Sequence, residues 1–344
     1  MIRLKTLFKF IALYASGLWL LFRKANRRRL LILMYHGVVP EDINIWTQVP
    51  AIEFDRQMKY ISEKYNVVSL EDAVGMISGE KSMPDYPAVI TFDDGFNNNK
   101  TYAYPILKKY NLPATIFLST SIIDETNDYQ GLLWPDYITC LFRSTRKSNI
   151  DLSDIGMTKF MLDSDNAKDM AIDEICGNLK KLSNNDKLEV INKITECAEV
   201  DKLVDSCQLY KGLGWDDVQE MDVEGLVNFG AHTVTHPILS KINNDEVEKE
   251  ILDSQQIIGQ RLGKRITTFA YPNGKKQDYN DFAKQIVSEN FICSPSTSEG
   301  LVNIGDDLYE LKRVGPGNKT SLWEFKLLIS RTISIYYKLI GKKV

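Results

Sequence analysis

Three short stretches hold the residues that could do chemistry. In ITFDDGF, residues 90–96, two adjacent carboxylates, Asp93 and Asp94, follow an apolar, β-branched run and precede a glycine. One of them could cap the helix expected around Tyr104, because aspartate is favoured at a helix N-terminus. Capping needs only one, and two like charges a few ångströms apart repel unless a cation or a proton lies between them. Ligands for a cation stand in GAHTVTHP, residues 230–237, where His232 and His236 are four apart. On one helical turn that spacing puts both imidazoles on one side, about 5–6 Å apart. Two histidines and one carboxylate form a set used by hydrolytic metal sites, which keep positions open for water and substrate. The chain has three histidines. The third, His36, ends the apolar run LLILMYHGV at the carboxyl end of the first expected strand, and imidazole titrates near neutrality. His36 is read as a proton donor or a substrate ligand.

These residues need a scaffold that gathers positions 36, 93, 232 and 236. Short apolar runs alternate with amphipathic segments. Strands are expected at RLLILMYHGV, VVSL, PAVITF, ATIFLS, EGLVNFGAHT, ITTFAYP and FICSPS, and helices at IEFDRQMKYISEKYN, TYAYPILKKYN, NNDEVEKEILDSQQIIGQRLG and NDFAKQIVSEN. Such alternation argues for βα units around a parallel sheet or barrel, with chemistry at the carboxyl ends of the strands. The rhythm breaks between about 135 and 213, where residues 167–200 read as two helices with a turn at Ser183–Asn185. This is expected to be a helical insertion, acting as a lid or packing on the surface.

At 344 residues and 44% hydrophobic the chain can bury a full core, and its formal net charge is −4. That average hides an asymmetry, since the first forty residues carry eight Lys and Arg and no Asp or Glu. The charge-free run from Phe10 to Phe22 is too short for a spanning helix, which needs roughly 17 to 25 residues. Residues 1–29 are therefore expected to lie in the membrane interface with Trp19 at the boundary, and residues 321–344 to form a second basic amphipathic helix. The domain between them is placed at 30–320. The expectation is a bacterial, membrane-associated protein with no nucleic-acid partner. Five widely spaced cysteines without a CxxC pair are read as thiols.

TFDDGF, HTVTHP and FAYPNG, in that order, resemble the polysaccharide deacetylases, the NodB-homology domain or carbohydrate esterase family four, in its FAYP-type branch. The resemblance runs from about Leu30 to Arg313. It implies a distorted (β/α) barrel with one divalent metal, usually zinc, that removes acetyl groups from amino sugars of a polymer or a lipid-linked saccharide. By motif position Asp93 would be the general base, and Asp94, His232 and His236 the metal ligands. It also implies a substrate-facing role for Tyr271, Pro272, Asn273, Trp215 and Arg313. Two places depart from the family pattern. The third motif lacks the arginine that orients the base, with Ala270 or Tyr271 in its place, and the closing Leu-x-His motif reads Leu311-Lys312-Arg313. A non-catalytic saccharide-binding module and an O-acetyl esterase are the competing expectations.

Overall fold

Four adjacent parallel strands carry the site in a computed structural model, which describes residues 2–339 apart from 44, 46, 124–126 and 128. They are β1 (Leu31–Tyr35), β2 (Pro87–Phe92), β3 (Ala114–Leu118) and β4 (Val227–Ala231), neighbours in that order. Leu33 aligns with Ile90, Phe92 with Ile116, and Phe117 with Gly230. Every residue of β2 and β3 is buried, which is why these strands read as unbroken apolar runs rather than alternating ones. The rest of the circle is thinner. Ala231 bridges Phe269, Thr268 bridges Cys293, β5 (Pro295–Glu299) pairs with β6 (Leu311–Arg313), and Val314 bridges back to Leu33. The expected (β/α) barrel therefore closes, in distorted form, partly through single bridges. ITTFAYP is held by such bridges instead of forming a full strand. VVSL is likewise shorter than expected: Asn66–Val67 pairs with β2, and the chain is helical from Leu70 because the Ser69 hydroxyl accepts from the Asp72 N–H.

The insertion builds a core of its own. Helices Trp134–Ser144, Asp165–Leu179 and Asn184–Ala198 enclose Ile138, Phe142, Ile175, Leu179, Ile191 and Ile194 with the hairpin Asn149–Asp151/Lys159–Met161. Cys140 and Cys207 are joined by a disulfide across it, which corrects the reading of all five cysteines as thiols; Cys176, Cys197 and Cys293 remain free. Two cysteines 67 positions apart carry no local signal that they will meet.

The two ends of the chain pack on each other. Helices Ile2–Ala15 and Leu18–Ala25 meet Leu322–Ile329 and Thr332–Leu339 on the barrel wall. The Lys326 ammonium lies 5.8, 5.7 and 5.0 Å from the rings of Tyr14, Trp19 and Tyr60, and Phe10 packs edge-on against Tyr336 and Tyr337. Trp19 is buried and stacked on Tyr14, not set at a membrane boundary, because its side of the helix faces the barrel. The C-terminal segment breaks at Arg331, whose φ is +65°, and buries Phe325, Leu327 and Ile329. The expected helix 321–344 is thus two helices whose apolar side faces inward, and its residues 340–344 lie outside the described ones.

Candidate active site

The chain leaves β2 through a sharp turn. Asp94 has φ +73° and Gly95 +81°. A side chain at 95 would place Cβ 2.6 Å from Leu118 Cδ2, so the glycine meets both a backbone and a packing demand. The segment returning from the insertion braces the turn: Leu213 N–H donates to Gly95 O and Asn97 N–H to Lys211 O.

Asp93 and Asp94 point to different partners. Asp93 receives both arms of Arg313, Nη1 to Oδ1 and Nη2 to Oδ2, each at 2.7 Å. The guanidinium is itself fixed by Nε donating to Ser296 O at 2.8 Å and Nη1 to Thr91 Oγ1 at 3.2 Å. Burial works to raise the Asp93 carboxyl, but Arg313, with His232, outweighs it and holds the group below the usual carboxylate range. Arg313 is 1% exposed. It is therefore buried behind Asp93 and not at an exposed, substrate-facing position, correcting its expected place. The missing third-motif arginine and the altered closing motif answer each other, because an arginine from β6 pairs with Asp93.

Asp94 Oδ1 lies 3.5 Å from His232 Nε2 and 3.3 Å from His236 Nε2, and has no hydrogen-bond partner among the described residues. All three ligand atoms lie within 4.8 Å of one another. Zinc bonds of about 2.0–2.1 Å in a tetrahedron leave ligand atoms about 3.3–3.4 Å apart, so the orphaned oxygen and the two nitrogens fit one divalent ion. His232 Nδ1 is 2.6 Å from Ala270 O. A carbonyl only accepts, so Nδ1 carries the proton and Nε2 is free to ligate. Burial pulls the His232 pKa down, but Asp94 and Asp93 outweigh it and raise the value. His236 falls to about 4, chiefly through burial, which keeps it neutral and able to ligate. Asp94 is driven far below the usual range by the histidines facing it, against the effect of burial.

The two histidines do not share a helical turn, contrary to expectation. Thr233 and His236 adopt left-handed backbone, with φ of +66° and +56°, and the loop brings the ring centroids to 4.9 Å. Side chains hold it there. Glu250 Oε2 accepts from Val234 and Thr235 N–H at 2.8 and 2.9 Å, Glu250 Oε1 accepts from Thr235 Oγ1 at 2.6 Å, and Thr233 Oγ1 accepts from His236 N–H at 3.1 Å.

His36 follows β1 on the same rim, half-buried, within electrostatic reach of Asp93, Asp94 and His236. Its carbonyl accepts from Asn99 Nδ2 at 2.8 Å. Behind it Asn98 Oδ1 accepts from Val38 N–H and Asn98 Nδ2 donates to Gln48 Oε1. A Cβ at Gly37 would lie 2.4 Å from Asn98 Oδ1, so this buried amide also requires the glycine of MYHG.

Of the residues expected to face substrate, Tyr271 is 1% exposed and stacked on Tyr279 at 3.9 Å, a core position. Pro272 is buried beside it. Asn273 is half-buried, with φ +58° and its carbonyl accepting from Thr297 Oγ1. Trp215 packs half-buried on the main core with the Arg261 guanidinium 5.2 Å from its ring. Sequence reading missed Asp136, in the first turn of the insertion's helix Trp134–Ser144. Burial and the field of Asp94 push its carboxyl well above the usual range, so the insertion brings a titratable group to the rim. A lone aspartate after Trp-Pro reads as a first-turn helix charge, which hid it. It missed Glu250 too, which looks like one more exposed helix glutamate.

Comparison with known proteins agrees with this fold. The family profile described as polysaccharide deacetylase matches residues 80–290, more than half of the chain. YxkH of Bacillus subtilis (strain 168), a polysaccharide deacetylase-type protein by its name, is 37% identical over 91 residues, 26% of this chain and 32% of that protein. The chain thus matches about a third of the length of that curated relative. Streptococcus pyogenes deacetylase PplD, solved with acetate, superposes with TM-score 0.58 at 20% identity, covering 88% of this chain and 99% of the other. IcaB from Ammonifex degensii gives 0.57 at 16% identity, covering 88% and 97%. At these identities the solved structures speak for the fold alone. The profile match over more than half of the chain places it in the polysaccharide deacetylase family of hydrolases.

Proposed function

We propose that the protein hydrolyses the N-acetyl group of an amino sugar in a polysaccharide or lipid-linked saccharide, using one divalent cation, zinc by its donor set. The observation that carries this reading is the difference between neighbouring carboxylates: Asp94 faces two histidines, while Asp93 pairs with an arginine and belongs to no candidate metal-ligand group among the described residues. A cation bound by Asp94, His232 and His236 would supply Lewis acidity toward the acyl oxygen and acidify the attacking water. Asp93 takes the proton of that water as its oxygen attacks the acyl carbon. Each carboxylate oxygen keeps a lone pair beyond the one given to Arg313, so the base remains competent while the guanidinium fixes its direction. The C–N bond then breaks, and the departing amine needs a proton. His36 is the proposed donor, a reading supported by its position on the same rim, and Arg313 cannot serve, because a guanidinium stays protonated.

The test is acetate release from N-acetylglucosamine oligomers by metal-loaded protein. Asp93→Asn should keep the metal while losing roughly 10²–10⁴-fold in turnover, as expected for a lost general base. His36→Ala should keep the metal and lose turnover most steeply for substrates with poor leaving amines. Acetate released from O-acetyl substrates only would make the protein an esterase. Oligosaccharide binding without release of acetate from either class would make it a binding module.

A further inference from the structure

Twelve large apolar side chains are exposed among the described residues, and five of them, Phe8, Ile11, Leu18, Leu20 and Leu21, fall in one window of fourteen positions, 8–21. They lie on the helices Ile2–Ala15 and Leu18–Ala25, on the side away from the barrel, since Trp19 faces inward and is buried. Leu20 and Leu21 are 50% and 65% exposed and Phe8 is 63% exposed, a cluster too concentrated to be the scattered apolar surface of an ordinary domain. Exposed cations border it: Lys9, Lys24, Arg27 and Arg28. Arg27 and Arg28 share one carboxylate, Asp85, at 3.8 and 2.7 Å, and the first forty residues contain no acid, so the face keeps a positive excess. Apolar side chains ringed by lysine and arginine match the chemistry of an anionic lipid surface, where tails take the former and headgroups the latter. No helix of the described residues is long and apolar enough to cross a membrane, so the match is to lying on it.

The fold also fixes how the barrel would sit. The second helix leads into the amino end of β1, Arg23 donates to Lys64 O at the end of helix Ala51–Lys64, and Asp85 stands just before β2. All three mark the amino ends of the strands. Asp93, His232 and His36 follow the carboxyl ends of β2, β4 and β1. The apolar face and the catalytic rim are therefore at opposite ends of the barrel.

We propose that the two N-terminal helices dock the barrel on an anionic bilayer through Phe8, Ile11, Leu18, Leu20 and Leu21, with the catalytic rim turned away from the membrane. This does not depend on the nature of the acyl substrate. The full chain should float with vesicles containing phosphatidylglycerol and not with pure phosphatidylcholine, and raising salt should release part of it. Leu20→Asp/Leu21→Asp, at exposed positions that leave the fold intact, should weaken binding by roughly tenfold or more, and Lys9→Glu/Lys24→Glu should weaken it less and flatten the salt dependence. Unchanged flotation of the leucine variant, equal binding to the neutral vesicles, or no binding at all would overturn the docking. So would a concentration-dependent dimer abolished by the same leucine substitutions, which would make a second copy the occupant. For orientation, fluorophores are placed in a Cys176→Ser/Cys197→Ser background at Lys24→Cys and at Lys275→Cys, in the exposed turn that follows FAYPNG. Brominated lipid should quench the first and spare the second; equal quenching would overturn the outward-facing rim.

Discussion

The catalytic rim and the helical insertion are built on opposite terms. At the rim, Asp94, Thr233 and His236 take left-handed backbone that non-glycine residues avoid, and ionised groups are packed out of water. In the insertion two of the three helices start at Ser164 and Ser183, each capping with its hydroxyl, and the left-handed non-glycine residue, Glu199, merely closes a helix. The rim collects its groups from five parts of the chain around β1, β2, β4, β6 and the helix of Glu250, whereas the insertion closes on contacts within about eighty residues. Strain of about 1–3 kcal/mol per unfavourable residue persists only where surrounding structure over-determines it. The barrel supplies that excess, and the insertion holds only the single left-handed residue at a helix end.

The sharpest separation should come from the metal ligands. Asp94→Asn, His232→Ala and His236→Ala each remove one of three protein ligands, and each should lose the ion and all detectable turnover while the apo fold persists. Metal analysis of the purified variants decides it, and full stoichiometry in all three would dissolve the site. Nothing comparable is expected from the insertion: Phe142→Ala should loosen its core by about 3–5 kcal/mol, read as an early unfolding step, with metal content unchanged.

The base pair comes next. Arg313→Ala would leave Asp93 buried without its partner, which costs about 3–5 kcal/mol in comparable pairs, and would release the orientation of the base. A fall in melting temperature together with lost turnover and retained metal is the expected pattern. If stability and turnover stay at the level of the parent chain, Arg313 does not position the base.

This contrast also explains what could be seen before the structure. Motifs whose chemistry is local, Asp93–Asp94 and His232–His236, were legible, as were strands buried on both faces and the insertion's two capped helices. Arg313 was legible only as a departure from pattern, because its partner lies 220 positions away. The helical turn assumed between the histidines was wrong because spacing says nothing of the left-handed residues that Glu250 stabilises. Trp19 and the C-terminal helix misled because an amphipathic helix reads alike whether its apolar side meets a barrel or a lipid.

Glu250 gives a smaller test on the same axis. It touches no ligand atom but fixes the backbone between two of them, so Glu250→Ala should weaken metal affinity by about 10–100-fold, as other outer partners of metal ligands do. Titration with a competing chelator measures this, and an unchanged affinity would show that the loop holds its shape without the carboxylate.

The least dramatic effect is in acid. The Asp93 carboxyl is depressed in the folded chain, so its ionised form binds the fold better than it suits the unfolded chain. The stabilisation it contributes is fully present above the ordinary aspartate value near pH 4 and is lost as pH falls through the lower folded value. Wild-type apo protein should therefore lose more stability on passing from about pH 5 to pH 3 than Asp93→Asn does, because asparagine leaves Arg313 unpaired at every pH. The difference between the two denaturation curves, not either curve alone, isolates this group from the other carboxylates. Phe142→Ala, which alters no charge, should run parallel to the wild type across the same range. If the Asp93→Asn curve is also parallel, the carboxylate gains nothing from its arginine, and the rim is held by packing as the insertion is.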